Sequence, residues 1–173
     1  LSAAEHVLLL TMHHIVSDGW SMGVLLRELT AAYTAYVRGL AAPLAPLTLQ
    51  YTDFAHWQRQ WLGGDVKRRL LDYWTSQLAG APALLELPTD RPRLPVQRHH
   101  GATLSFAVDA AAAAALYDLG KRAGTTLYVV LTAAFQALLH RYSGQRDICI
   151  GAPIANRNRS ETEDLIGFFV NTL

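Results

Sequence analysis

Apolar residues crowd positions 6–12 (HVLLLTM) between polar flanks, the pattern of a strand buried on both faces. The turn Ser17-Asp18-Gly19 breaks it. Leu25, Leu29, Ala32, Tyr33, Tyr36 and Val37 then recur at three- and four-residue steps, which predicts a helix from about Trp20 to Arg38 with Gly39 as its stop. Pro43 and Pro46 mark residues 42–49 as a loop. Thr52 or Asp53 caps a helix through Trp61, Gly63-Gly64 interrupts it, and Asp65 caps another that reaches Leu78 before Gly80. Pro82, Pro88, Pro92 and Pro95 follow in quick succession and end at His99-His100-Gly101; proline at that density resists helix and sheet and reads as a linker.

Beyond the linker, residues 103–108 alternate with period two, as a strand does. Asp109 caps an alanine-rich helix to about Arg122, and Thr125 or Thr126 opens another that ends at Ser143-Gly144. Residues 148–150 and 168–173 are further expected strands. The sum is an α/β protein of two lobes with pieces missing. The expected boundaries are a partial first lobe over 1–87, a linker over 88–100 and a partial second lobe over 101–173.

Composition narrows the classes. The chain has 173 residues, 51% hydrophobic and 17% charged, with a net charge of +1. That suits a core-forming protein and leaves no electrostatic footprint for nucleic acid or an anionic membrane. No segment approaches the roughly 20 apolar residues of a membrane span. The opening LSAAEHVLLL lacks the basic start of a signal peptide, and a cytoplasmic location is expected. With no initiator Met, and an end inside the run IGFFVNTL, both termini read as cut. The single cysteine, Cys149, has no internal partner for a disulfide and is expected as a buried small hydrophobe.

The chemistry concentrates in MHHIVSDGWS at 12–21. Side chains alternate along a strand, so His13 and His14 are not expected to face one cleft together. One is available for catalysis and the other must find partners within the protein. Asp18 is placed to cap the coming helix or to hold the loop through an ion pair, and Gly19 permits positive φ and close backbone approach. No histidine spacing suits a zinc helix, so no metal is expected. His99-His100 has no acids nearby. A Ser/His/Asp triad is not excluded by chain order, although the G-x-S-x-G turn is missing. The residues alone fit a histidine general base in acyl transfer, or else a pair of satisfied core histidines.

The string HHIVSDGWS resembles the HHxxxDG(W)S motif of condensation domains of nonribosomal peptide synthetases. YTDFAHW at 51–57 resembles that family's Y-x-D-[FY]-A-x-W segment, and IGFFVNTL at 166–173 its I-G-x-F-V-N-T-L segment. LPTDRP at 87–92 and RYSGQ at 141–145 match connecting strings. The resemblance implies a pseudo-dimeric fold similar to chloramphenicol acetyltransferase, with the active site in a tunnel between two lobes. Upstream and downstream peptidyl carrier domains would dock at its ends, with an adenylation domain in the same assembly line. Substrates would arrive as thioesters on the 4'-phosphopantetheine arms of the carriers, and no cofactor would be bound directly.

Carried onto this chain, the resemblance makes His14 the tunnel histidine, acting as base toward the acceptor amine or as its hydrogen-bond positioner. His13 becomes structural. Asp18 would pair with a basic residue outside the piece, and Gly19 would let the main chain near the reacting centre. Trp20 and Ser21 would line the tunnel, and Asn171 would make a polar contact from the other lobe. Tyr51, Asp53 and Trp57 are expected as scaffold, and Asn156, Arg157 and Arg159 as an exposed basic loop. Rivals are an epimerisation domain, a wax-ester-type acyltransferase and a noncatalytic condensation-like recruitment module. A heterocyclisation domain would carry aspartates at the histidine positions. The chain matches well under half of a full condensation domain, so the isolated piece is expected to be inactive.

Overall fold

The computed structural model describes residues 2, 4–94, 96 and 100–173. It separates into two compact units, one of Leu1–Gln77 with Gly151–Leu173 and one of Leu78–Ile150. The final segment thus groups with the first, whereas the sequence boundaries placed it with residues 101–150. The reason is a shared core and a buried ion pair, described below.

The first unit begins with helix α1 (Gly19–Val37), which buries Ser21, Val24 and Ala35. Asp18 is its N-cap, accepting from the Ser21 N–H at 2.8 Å, and Gly39 leaves it at φ +69. Helix α2 (Tyr51–Trp61) is capped by Gln50 rather than by Thr52 or Asp53. Asp53 sits one turn in, where its Oδ2 accepts from the Gln50 N–H at 2.8 Å. In helix α3 (Gly64–Gln77), Asp65 likewise lies in the first turn and pairs with Arg68 at 2.8 Å. Strands β1 (Pro153–Ile154) and β2 (Asn171–Thr172) pair antiparallel, with Pro153 opposite Thr172 and Ile154 opposite Asn171. Reciprocal Ala152 and Leu173 backbone bonds of 2.7 and 2.9 Å extend the ladder.

Helices α4 (Ala110–Arg122) and α5 (Leu127–Ser143) form the second unit, N-capped by Asp109 and Thr126. Gly144 ends α5 at φ +71, the left-handed turn that glycine makes without a Cβ clash. Gln145 then ties the end of this unit to its beginning: its Oε1 accepts from the Glu86 N–H at 2.7 Å and its Nε2 donates to the Leu84 carbonyl at 2.9 Å. Among the described residues no single helix is long and apolar enough to cross a membrane.

Three expected strands are not formed. Residues 6–12, 103–108 and 148–150 lie outside any ladder, and Leu9, Leu104 and Phe106 are 86–89% exposed. A strand is completed by the N–H and C=O groups of a neighbour, and among the described residues these segments have no ladder partner. Cys149 is exposed, not buried; the alternation survives, with Ile148 and Ile150 half-buried on the opposite side. His99 of the His99-His100 pair lies outside the described residues.

Candidate active site

The chain leaves its extended segment at His13 (φ −72, ψ 139) and enters a 3-10 turn over His14–Val16. That turn, not strand alternation, divides the two histidines. His13 Nδ1 accepts from the Ile15 N–H at 3.0 Å and so caps the turn. His14 Nδ1 lies 2.6 Å from the Ser17 carbonyl oxygen. A carbonyl oxygen brings no proton, so Nδ1–H donates and the neutral ring keeps its lone pair on Nε2. The ring is exposed and meets the Phe168 ring edge-to-face at 5.1 Å.

Behind this turn the motif is fastened from within. Asp18 Oδ1 accepts from the Ser21 N–H (2.8 Å), the Ser21 hydroxyl (2.7 Å) and Arg157 Nη2 (3.1 Å), while Oδ2 accepts from the Phe169 N–H (3.0 Å). Burial alone would raise the Asp18 carboxyl, but the Ser21 hydroxyl, the Ser21 and Phe169 amides and Arg157 outweigh it and hold it at about 2. The carboxylate is therefore ionised at neutral pH, which a fully buried acid tolerates when charge and donors surround it.

Arg157 is the partner that the sequence reading placed outside the piece. It was expected on an exposed basic loop; instead its side chain is 1% exposed against Asp18 at 0%. Its Nη1 donates to the Leu165 carbonyl at 2.8 Å and to that of Thr162, and its guanidinium lies 4.0 Å from the centroid of the Phe169 ring. Arg159 does remain exposed, stacked over Trp57 at 5.0 Å.

Ser21, expected in a tunnel lining, is fully buried; its Oγ accepts from the Gly167 N–H at 3.0 Å and from Arg157 Nη2 at 2.9 Å. It braces α1 against residues 165–169. Trp20 is half exposed and its indole N–H donates to the Glu163 carbonyl at 2.8 Å. Gly19 does not use positive φ, and a Cβ there would meet nothing within 4 Å. Asn171 is exposed in β2, in the same unit as the histidines, and its Oδ1 accepts from the Thr172 N–H at 3.0 Å.

The three sequence motifs converge on Phe169, which is 2% exposed. Phe54 and Tyr51 pack on it with ring centroids at 4.6 and 5.1 Å. Gly167 is needed here, because a Cβ would come within 2.2 Å of the Tyr51 ring. Its requirement and the roles of Arg157 and Phe168 were missed from sequence. For Gly167 the signal existed, as part of the 166–173 motif; for Arg157 nothing local marks an arginine as buried. A cavity of about 320 Å³ between Phe54, Trp57, Trp61, Asn156 and Arg159 does not include His14.

The family model for the condensation domain matches residues 1–173. The chain belongs to the condensation-domain family. Malpinin synthetase of Mortierella alpina is 52% identical to it over 169 residues, 98% of this chain and 2% of that synthetase. A solved X-domain from teicoplanin biosynthesis matches with a TM-score of 0.86 at 32% identity, over 93% of this chain and 37% of that one. The first condensation domain of the CDA synthetase matches with a TM-score of 0.68 at 26% identity, over 93% and 35%. The chain thus spans 2% of the malpinin synthetase and little over a third of the solved domains. It is a part of the two-lobed α/β fold of condensation domains.

Proposed function

We propose that this chain is the motif-bearing part of a domain that makes peptide bonds in nonribosomal peptide synthesis, with His14 at the reacting centre. The donor is an acyl or peptidyl thioester and the acceptor an aminoacyl thioester, each on the phosphopantetheine arm of a carrier domain, upstream and downstream. The acceptor amine attacks the donor carbonyl, the C–S bond breaks and a C–N bond forms. The amine proton passes by way of His14 Nε2 to the departing thiolate, so one amide and one free thiol result. A thioester is already activated, so alignment of the two arms supplies most of the acceleration and proton handling adds about 10²- to 10⁴-fold.

One observation carries this reading: an exposed imidazole whose Nδ1–H is committed to the Ser17 carbonyl, leaving Nε2 as an outward acceptor. In this account His13 holds the turn, and Asp18 with Arg157 holds the loop. An adenylation domain serves the same assembly line, and the parent works in the cytoplasm. The test is His14→Ala in the intact parent synthetase. Amide formation should fall by about 10²-fold or more while carrier loading is unchanged. Undiminished amide formation would remove His14 from the reaction and leave a recruitment module as the better account.

A further inference from the structure

We propose that Tyr51 and Phe168 are positioning residues that hold the His14 imidazole in its working orientation. This rests on the reading of His14 as the reacting group and extends it to residues that sequence reasoning treated as scaffold or passed over.

The His14 ring is tied at one corner, through Nδ1 to the Ser17 carbonyl at 2.6 Å. A single hydrogen bond at one corner fixes a point but not the ring plane. The second support is the Phe168 ring, perpendicular to the imidazole at 89° and 5.1 Å away. That is the favoured edge-to-face arrangement of aromatic pairs.

Phe168 is itself aimed by its neighbours. Gly167 and Phe169 on either side are buried, so the side chain between them projects outward, 39% exposed. Tyr51 fixes that stretch twice. Its hydroxyl donates to the Phe168 carbonyl at 2.8 Å, and its ring lies so close over Gly167 that a Cβ there would be 2.2 Å from Cδ2. Tyr51 is the first residue of α2, and its ring also packs on Phe169 at 5.1 Å. The chain of contacts therefore runs from α2 through Tyr51 to the Gly167-Phe168 peptide, and from the Phe168 ring to His14. Because small misplacements of a reacting group are costly, a loose imidazole plane should slow the chemical step without weakening substrate capture.

The test uses single-turnover and steady-state amide formation by the intact parent synthetase with both carriers loaded. Phe168→Ala should lower kcat by about tenfold or more with KM for the acceptor carrier unchanged, and Phe168→Tyr should restore most of the rate. Tyr51→Phe, which removes the bond to the Phe168 carbonyl and keeps the ring, should lower kcat by about threefold. If Phe168→Ala fails to fold, Phe168→Leu keeps the bulk without the aromatic edge and should show the same loss. On a His14→Ala background, Phe168→Ala should change nothing further, since it acts through that ring. Native kcat in Phe168→Ala or Phe168→Leu, or an equal loss on the His14→Ala background, would overturn the positioning role while leaving His14 in place. Native rates in His14→Ala alone would overturn both.

Discussion

Residues 6–12 and residues 17–24 lie side by side in sequence and meet opposite fates. The first segment is the more apolar, yet Val7, Leu8 and Leu9 are 73–86% exposed; in the second, Ser17, Asp18 and Ser21 are buried although all are polar. Hydrophobicity did not decide which was covered. The polar turn carries its own partners: Asp18 takes the Ser21 amide as the helix cap, an arginine from position 157 and an amide from position 169. The apolar strand needs a ladder, and among the described residues it has none. The best-buried part of the first unit is thus a polar network joined to one aromatic core, not its greasiest stretch.

The strongest way to break this contrast is Arg157→Met. It leaves the Asp18 carboxylate buried and unpaired, a penalty of about 3–5 kcal/mol. Hydrogen exchange should report it locally: protection of the Ser21 and Phe169 amides should fall by about 10²-fold or more, and unchanged protection would show that the ion pair holds nothing. Gly167→Ala comes next, because its Cβ would overlap the Tyr51 ring. Overpacking of this kind costs about 1–3 kcal/mol. Combining it with Tyr51→Ala should recover part of that loss in a denaturant titration, and no recovery would place the strain elsewhere.

Acid tests the same network at a similar scale. Asp18 is held at about 2 against an ordinary 3.8. A carboxyl lowered by folding stabilises the folded state above its unfolded value and loses that contribution as pH falls through its folded value. The lowering is worth about 2 kcal/mol, present at pH 5 and above and lost between about pH 4 and pH 2. Asp18→Asn should flatten that part of the stability profile, and a slope that persists would belong to other carboxylates. The smallest effect is expected at the other side of the contrast. Leu9→Ser in the 173-residue chain should shift unfolding by less than about 0.5 kcal/mol, since an exposed leucine buries nothing to lose. A larger destabilisation would mean that residues 6–12 do pack.

What could be read in advance follows the range of the forces involved. Helix ends are local, and the caps at Asp18, Asp109, Thr126 and Gly144 stand where residue chemistry put them. The exceptions, Asp53 and Asp65, are displacements within one turn: both lie inside their helices, and the Asp53 carboxylate reaches back to the Gln50 N–H. Strands are not local, and the apolar run at 6–12 and the period-two pattern at 103–108 announced a tendency that only a paired neighbour realises. The site divides in the same way. The sequence of the turn pointed to Asp18 as a cap and an ion-pair partner, but nothing near position 157 told that its arginine would travel 139 residues to meet it. The Phe168 contact with His14 was equally hidden, because its aim depends on Tyr51 and a glycine from two separate motifs.

The central claim is that the reaction needs the outward Nε2 of His14 and not merely the bond by which Nδ1 holds the turn. His14→Asn separates the two, since its amide N–H can replace the Nδ1 donor to the Ser17 carbonyl while nothing replaces Nε2. In the intact parent with both carriers loaded, single-turnover amide formation by His14→Asn should be as slow as in His14→Ala. A rate near that of the native protein would contradict the account and make the histidine a structural strut.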